Sequence, residues 1–228
     1  MPLPPGLKRT PEDCGVALDV PVTLVHNTPD AEKLIVKCAR VSNQRNEDNW
    51  ETGPKLLKYL LDHKHFSPFE LVFMCVRIET TLDVATQMTR HRSLAWQQFS
   101  CRYAKTQKAQ VPEFRSQDPN NRQNSWDNLT DEEQDDAQSL AQEVIDHAYD
   151  TYEQLLEKGL AKETARRILP VSTPTTLYMA GSARSFIHYI QVRTAVDTQK
   201  EHRQVAEEIK KIFLHVFPIT AEALGWTS

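Results

Sequence analysis

Alternating apolar and polar residues predict three β-strands. The stretch 16–26 is rich in valine and leucine, 171–179 is rich in threonine, and 71–79 alternates with a period of two. In an extended chain this period sends successive side chains to opposite faces. In the middle strand we expect Val72, Met74, Val76 and Ile78 to face one way and Leu71, Phe73, Cys75 and Arg77 to face the other. Gly181 is expected to break the third strand before a further helix.

Apolar residues spaced three and four apart predict helices between and after the strands. This spacing is present at 55–61, across 130–158, and in the segment that runs through Phe213. Thr130 begins a capping-box sequence that has Glu133 three residues later, and Gly159 is typical of a helix end. The buried stripe expected on this long helix consists of Leu140, Val144, Ile145, Ala148, Tyr152, Leu155 and Leu156.

Two shorter helices are predicted from their starting residues. Thr28, Pro29 and Asp30 combine a capping hydroxyl, a proline suited to the first helical position and an early acid, which predicts a helix to about residue 39. Thr80 or Thr81 should cap a helix that brings Gln87 and Arg90, three residues apart, to one face.

The order of these elements leads us to expect one α+β domain, with a mixed or antiparallel sheet flanked by helices. No glycine-serine or proline-rich linker divides the 228 residues, and a chain of this length can bury a substantial core. We expect residues 1–15 to be an N-terminal extension and residues 105–129 to be a polar surface loop.

Composition narrows the setting in which the chain works. No uncharged apolar run reaches the length of about 18 residues that a membrane span requires, and the first residues do not resemble an export signal. The four cysteines are Cys14, Cys38, Cys75 and Cys101, without a Cys-x-x-Cys pair. That scatter favours neither disulfides nor a zinc site. We expect a cytoplasmic protein with no membrane partner and no metal.

Positive charge is concentrated in two windows that contain no acidic residue, although the formal net charge of the chain is −4. The first window, 84–112, contains Arg90, Arg92, Arg102, Lys105 and Lys108. The second window, 164–196, contains Arg166, Arg167, Arg184 and Arg193. Compact basic islands in an acidic protein favour a focused anion pocket over a broad nucleic-acid face. Guanidinium groups match phosphate oxygens with paired hydrogen bonds, so a phosphorylated ligand is the first hypothesis.

Two other interpretations of the first island remain open. Residues 90–92 could simply complement the negative end of a helix dipole. Trp96, Phe99 and Tyr103 alternate with arginines, which is also typical of a platform that binds single-stranded nucleic acid.

The triplet Arg90-His91-Arg92, followed after seven residues by Ser100 and then by Arg102 and Tyr103, resembles the signature of flavin-dependent thymidylate synthases, the ThyX family. Further segments are similar to motifs of that family: Ala39-Arg40-Val41-Ser42, the turn from His65 to Glu70, Glu163 to Pro170, and Ser182-Ala183-Arg184-Ser185. The resemblance covers nearly the whole chain apart from its first 15 or so residues and the polar loop.

The resemblance implies an enzyme that methylates C5 of the uracil ring of dUMP. It implies FAD as redox carrier, 5,10-methylenetetrahydrofolate as carbon donor, NADPH as reductant, and no enzyme nucleophile. It also implies a homotetramer with no stable nucleic-acid partner. Since the chain has no glycine-rich dinucleotide fingerprint, FAD should be held by side chains gathered at an interface between subunits.

Site residues carried over from the resemblance fall into four groups. The residues expected to bind FAD are Ser42, Ser67, Arg90, His91, Arg92, Gln98, Ser182, Arg184 and His188. The residues expected to bind the nucleotide are Gln87, Arg90, Gln98, Ser100, Arg102, Arg166 and Arg193. Arg193 is also the expected catalytic residue, because a cation beside the uracil ring would stabilise negative charge that develops there. His65 is expected at the edge of the active site.

The chain departs from the family pattern at two of these positions. Ser182 replaces the usual asparagine, and Gln98 stands where the family often has an acid. Both side chains still form hydrogen bonds, so we expect adjusted flavin affinity.

Other reactions stay open at this stage. Hydroxymethyl transfer, or action on another pyrimidine nucleotide, would need the same anion-binding residues. Cys101 lies between Ser100 and Arg102, where a lowered pKa could make it a nucleophile of the kind used by the unrelated thymidylate synthases. The orientation of Cys101 cannot be deduced from strand alternation.

Overall fold

Four antiparallel strands form the central sheet of the protein. A computed structural model describes residues 21–226. The strands are β1 (Val22–Asn27), β2 (Phe73–Thr81), β3 (Ala95–Gln98) and, after a short hairpin described below, β6 (Pro174–Ser182). They lie in the order β1-β2-β6-β3. Every neighbouring pair is antiparallel, which decides between the two sheet types expected from the sequence.

The described residues form eight α-helices: α1 (Ala31–Ala39), α2 (Gly53–Asp62), α3 (Leu82–Met88), α4 (Asp131–Glu157), α5 (Lys162–Ala165), α6 (Ala183–Arg193), α7 (Lys200–Val216) and α8 (Pro218–Ala223). Six of them pack against one face of the sheet. One continuous apolar core joins β1, β2 and β6 to α1, α2, α3, α6, α7 and α8. The expected single α+β domain is confirmed.

The alternation predicted for the second strand is confirmed. Val72, Met74, Val76 and Ile78 are fully buried. On the opposite face Phe73 is 50% exposed, and Tyr178 of β6 is 42% exposed. The period-two pattern therefore separated the two faces of the strand, and the structure shows that the face of Val72 and Met74 is the buried one.

Part of the N-terminal prediction lies outside the described residues. This applies to the extension 1–15 and to the first residues of the strand expected at 16–26. Within the described part, β1 begins at Val22 and pairs with β2, with a register shift between Leu24 and His26.

The predicted start of α1 is wrong. The helix begins at Ala31, and its N-cap is Asp30 in a left-handed conformation with φ 48°. Thr28 instead continues the pairing with β2: its Oγ1 accepts the backbone N–H of Phe73 at 2.9 Å, and its own N–H donates to the Phe73 carbonyl at 2.9 Å. The Thr28 hydroxyl is therefore used in pairing with β2 and does not cap the helix.

The predicted role of Gly181 is also wrong. Strand β6 runs through it to Ser182, and α6 follows directly at Ala183. A Cβ atom at position 181 would lie 2.6 Å from Cδ2 of Leu94. The absence of a side chain at Gly181 therefore allows Leu94 to pack against the sheet. The glycine does not end the strand.

The apolar stripe predicted on α4 is only partly buried. Ile145 and Tyr152 are buried, as is Tyr149, but Leu140 and Val144 are 67% and 66% exposed. The helix does not join the main core; its Ile145 and Tyr149 form a small second cluster with Ala109.

Residues 105–129 contain more order than the expected polar loop. Two short strands, β4 (Ser116–Gln117) and β5 (Ser125–Trp126), form a hairpin. The carboxylate of Asp118 holds the hairpin together by accepting hydrogen bonds from Asn120, Asn121, Asn124 and Trp126.

Candidate active site

The two basic islands meet at Arg193 and His91. Arg193 ends α6, and His91 lies in the turn after α3. Nε of Arg193 donates a hydrogen bond to Nε2 of His91 at 2.8 Å. Because a guanidinium in a protein keeps its proton, the accepting Nε2 must carry a lone pair, and the imidazole is neutral with its proton on Nδ1. Burial, with Arg193 and His188 nearby, lowers the pKa of His91 to about 4.

A second pair of buried groups lies behind His91. The Tyr189 ring meets the imidazole edge to face, with 4.9 Å between ring centroids. The Tyr189 hydroxyl is 3.0 Å from Nε2 of His202, and both residues are fully buried. Burial raises the pKa of Tyr189 and, with the nearby Arg193 and His91, lowers the pKa of His202 to about 3. The side chains behind Arg193, which are His91, Tyr189 and His202, are therefore uncharged.

Glu70 joins two of the predicted flavin-binding residues. Ser182 donates to one of its carboxylate oxygens, and Nη1 of Arg184 lies 2.7 Å from the other. The Ser182 hydrogen bond and the charge of Arg184 lower the pKa of Glu70 against the opposing effect of desolvation. Ser67 lies on the same short 3-10 helix, 67–70. Ser182 also caps α6 by accepting the Ser185 N–H at 3.2 Å, so serine takes over the capping role at this position.

A cleft of about 410 Å³ brings together three of the predicted nucleotide-binding residues. They are Gln98, Ser100 and Arg166. Arg167 also lines the cleft, so two arginines and a serine border the same space. That donor set suits a phosphate. Cys101 lies at this cleft too, but it is only 5% exposed.

Arg102 points to a neighbouring acid. Its Nη2 lies 3.0 Å from Oε2 of Glu163, and both side chains are half exposed. Glu163 begins the segment that carries Arg166, so Arg102 lies beside the cleft without lining it.

Arg90 and Arg92 present their charges to solvent. Both are exposed, and within residues 21–226 neither side chain makes a hydrogen bond or an ion pair. Gln87, one turn before Arg90, donates from Nε2 to Oε1 of Gln199 at 2.6 Å. The end of α3 therefore offers two cations and one oriented amide.

Two predicted site residues, Ser42 and His65, lie apart from the side-chain groups described above. Ser42 is exposed in the turn after α1, and His65 is exposed near Tyr59 and His63. In the described part of the chain, no hydrogen bond or ion pair connects either side chain to the other candidates.

Sequence reasoning missed several residues that hold this site in place. In the sequence Glu70 is only the end of a turn motif, and no local pattern distinguishes Tyr189 or His202. A group of acids and bases at the start of α7 was missed as well: Glu113, Arg115, Asp127, Lys200 and Glu201. Each partner is distant in sequence, so no local spacing indicates the contacts.

The described residues contain neither a metal-binding cluster nor a helix able to span a membrane. Between residues 21 and 226 no group of three or more His, Cys, Asp or Glu side chains could hold a metal ion. None of the helices placed there combines the length and the apolar character needed to cross a bilayer.

Comparison with known proteins gives the geometry a context. Residues 23–219 match the family described as "Thymidylate synthase complementing protein". A probable flavin-dependent thymidylate synthase of Paramecium bursaria Chlorella virus 1 is 44% identical over 210 residues, covering 92% of this chain and 97% of the relative. A flavin-dependent thymidylate synthase of a Synechocystis strain is 42% identical over 212 residues, covering 92% and 98%.

A solved structure with the same fold is the UMP/dUMP methylase PolB from Streptomyces cacaoi bound with 5-Br dUMP. It superposes with a TM-score of 0.80 and 26% identity, covering 91% of this chain and 95% of that chain. The match to the family model includes every candidate site residue described above. The chain belongs to the thymidylate synthase complementing protein family, the family of flavin-dependent thymidylate synthases.

Proposed function

We infer that the chain is an enzyme, a flavin-dependent thymidylate synthase that transfers a methyl group to dUMP. The family match and the two relatives support this activity, and PolB, a methylase of UMP and dUMP, supports the nucleotide. The observation that carries the proposal is the 2.8 Å contact between Arg193 and His91, because it joins the two basic islands at one point.

We further propose FAD as the flavin, 5,10-methylenetetrahydrofolate as the carbon donor and NADPH as the reductant. The donor set fits FAD: its diphosphate is anionic, and Arg90, Arg92 and Arg184 are exposed cations near His91 and Glu70. FAD supplies the redox chemistry of the reaction. The other residues that the sequence predicts to bind FAD are Ser42, Ser67, Gln98, Ser182 and His188. We propose a homotetramer, in which groups that lie apart in one chain, such as Ser42, would complete a site on another subunit.

The cleft beside β3 is proposed to hold the phosphate of dUMP. Ser100 and Arg166 line it, with Gln98 at its side. The Arg102–Glu163 pair lies at its rim, and both of these side chains are about 52% exposed, so solvent screens their attraction. An arriving phosphate dianion would compete with Glu163 for the guanidinium.

Arg193 is proposed as the catalytic residue. Its Nε is committed to His91, which leaves the two terminal nitrogens to face the uracil ring. Because His91 is neutral, it orients the guanidinium without cancelling its charge. A fixed cation at the carbonyl next to N3 stabilises negative charge on the ring and makes C5 nucleophilic. The chain then needs no nucleophile of its own.

The test is turnover of Arg193→Ala, with Arg122→Ala on the exposed hairpin loop as the control for losing an arginine. We expect Arg193→Ala to retain FAD and to lose turnover by roughly 10²- to 10³-fold, as for removal of one stabilising donor. Arg122→Ala should match the wild type. Near-normal turnover by Arg193→Ala would remove it from the catalytic role. Wild-type protein that is colourless and shifts single-stranded DNA would overturn the enzyme proposal itself.

Action on UMP is a second candidate, because PolB is described as a methylase of both UMP and dUMP. Parallel assays with UMP and dUMP would separate the two. The mass of the product would separate methyl from hydroxymethyl transfer. Turnover of dUMP alone to a methylated product would support the first proposal.

A further inference from the structure

The long helix α4 has apolar residues on two sides, although only one side packs against its own chain. Ile145, Tyr149 and Tyr152 form the buried side. A second set, which we call the outer stripe, is spaced three and four residues apart and consists of Leu140, Val144, His147, Ala148, Thr151 and Leu155. At 3.6 residues per turn, its centre lies about 120° round the helix from the buried side. A second apolar stripe of this kind indicates that the helix has a second neighbour.

No helix or strand within residues 21–226 covers the outer stripe. Leu140 and Val144 are about two-thirds exposed. An open depression of about 520 Å³ on this stripe is lined by Val144, His147, Ala148 and Thr151, with Glu143 and Ile168 beside them. Ile168 is exposed and belongs to the short 3-10 helix 166–168. The uncovered surface therefore reaches the segment whose Arg166 lines the proposed phosphate cleft.

The outer stripe is symmetric about its midpoint, which lies between residues 147 and 148. Leu140 and Leu155 lie at equal distances on either side of that point, and so do Val144 and Thr151. The first pair consists of two leucines, and the second pair consists of two β-branched side chains of similar size. Two antiparallel copies related by a two-fold axis at the midpoint would therefore place matching side chains opposite each other. A symmetric contact between identical chains requires this kind of self-complementarity.

Charges at the two ends of α4 favour the antiparallel direction. Its start is acidic, with Asp131, Glu132, Glu133, Asp135 and Asp136, whereas Lys158 follows its end and Lys162 begins α5. A parallel copy would set the acids of the two chains against each other. In the antiparallel arrangement, Asp136 comes to within one residue of the level of the partner's Lys158. Both side chains are exposed, so their attraction selects the orientation and adds little affinity.

We propose that a second copy of this chain packs antiparallel on the outer stripe, with the two-fold axis near residues 147–148. The inference deepens the proposed homotetramer by giving one of its interfaces, and it does not depend on the proposed reaction. Val144, Ala148 and Thr151 near the axis are small, which allows the two helix axes to approach to about 8–10 Å. The second copy also covers the depression beside Ile168, so the interface borders the segment that carries Arg166.

Disulfide cross-linking of cysteine variants tests the direction of packing. The two copies of residue 148 lie next to the axis, whereas the two copies of residue 140 are about 22 Å apart along the helices, at 1.5 Å per residue. A disulfide joins Cα atoms that are about 4.4–6.8 Å apart. Ala148→Cys should therefore form a linked dimer on a non-reducing gel. Leu140→Cys, the matched control on the same stripe, should not exceed the wild type, which has the native cysteines.

A double variant checks the register. Leu140→Cys combined with Leu155→Cys should link again, because these two positions face each other across the axis. Equal linking by Leu140→Cys and Ala148→Cys would overturn the proposal, since it indicates parallel packing or random collision. Absence of a linked dimer in Ala148→Cys would overturn it as well. If the introduced thiol in that unlinked chain is also protected from alkylation, another occupant covers the stripe.

Sedimentation tests whether the contact holds the assembly together. Val144→Asp would bury a carboxylate opposite the partner's Thr151 with no cation to pair with, so the dissociation constant should rise by about 100-fold or more. Ser139→Asp adds the same charge on a side of α4 that belongs to neither stripe, and it should sediment like the wild type. Unchanged sedimentation of a Val144→Asp protein with wild-type circular dichroism would overturn the proposal. Turnover enters neither readout, so an inactive wild type that still assembles through α4 would count against the proposed function alone.

Discussion

The buried His202 makes the stability of the protein depend on pH in a way that can be calculated. Its ring is fully buried, its Nε2 pairs with the Tyr189 hydroxyl, and its Nδ1 has no partner among residues 21–226. Burial, with Arg193 and His91 close by, lowers its pKa to about 3 from an ordinary value of 6.5. In the unfolded chain the same imidazole takes up a proton near pH 6.5.

The sign follows from proton binding. Between pH 6.5 and 3 the unfolded state holds a proton that the folded state does not, so stability rises with pH across this window and falls as the solution is acidified. From pH 7 to pH 5 the loss due to His202 is about 2 kcal/mol. Because pH 5 is well above the folded-state pKa, this figure depends almost entirely on the unfolded value.

The assay is urea unfolding at pH 7 and pH 5 for the wild type and His202→Leu, at one protein concentration and ionic strength. The variant leaves the Tyr189 hydroxyl unpaired, but equally at both pH values. The wild type should lose about 2 kcal/mol more than the variant on acidification. Equal losses would show that His202 is not held neutral. An NMR titration in which His202 protonates near pH 6.5 in the folded protein would contradict the reasoning independently.

Two further predictions concern a thiol and a helix cap. Cys101→Ala should keep turnover, because Cys101 is only 5% exposed and the proposed chemistry needs no nucleophile; complete loss of turnover with flavin still bound would favour covalent catalysis. Thr130→Ala should lower the free energy of unfolding by about 1 kcal/mol, since its Oγ1 accepts the Glu133 N–H in the capping box of α4. Urea unfolding measures this, and Ser139→Ala, an exposed site in the same helix, should have no such effect.

The sequence predicted those features that depend on neighbours along the chain. The alternation at 71–79 separated the two faces of β2, and the spacing of Thr130 and Glu133 identified the capping box of α4. The family resemblance of residues 90–103 is confirmed by the match over 23–219. Such patterns are reliable because period and capping act within a few residues.

The sequence misled where a distant partner competed for the same group. Thr28 had the chemistry of a helix cap, yet its hydroxyl pairs with Phe73 across the sheet. Gly181 had the character of a strand breaker, yet it lies within β6 because Leu94 fills the space. Leu140 and Val144 had the right spacing for a buried stripe, but no helix or strand of the described chain covers them.

The residues alone determined the types of group available for chemistry: arginines for phosphate, histidines near the triplet, and a glutamine at the end of α3. Only the tertiary structure decided their charge and direction. His91 is neutral because Arg193 donates to it from more than a hundred residues away, and Glu201 is ionised because Arg115 and Gln199 hold its carboxylate. Protonation and hydrogen-bond polarity depend on burial and on partners in space, which a linear sequence does not contain.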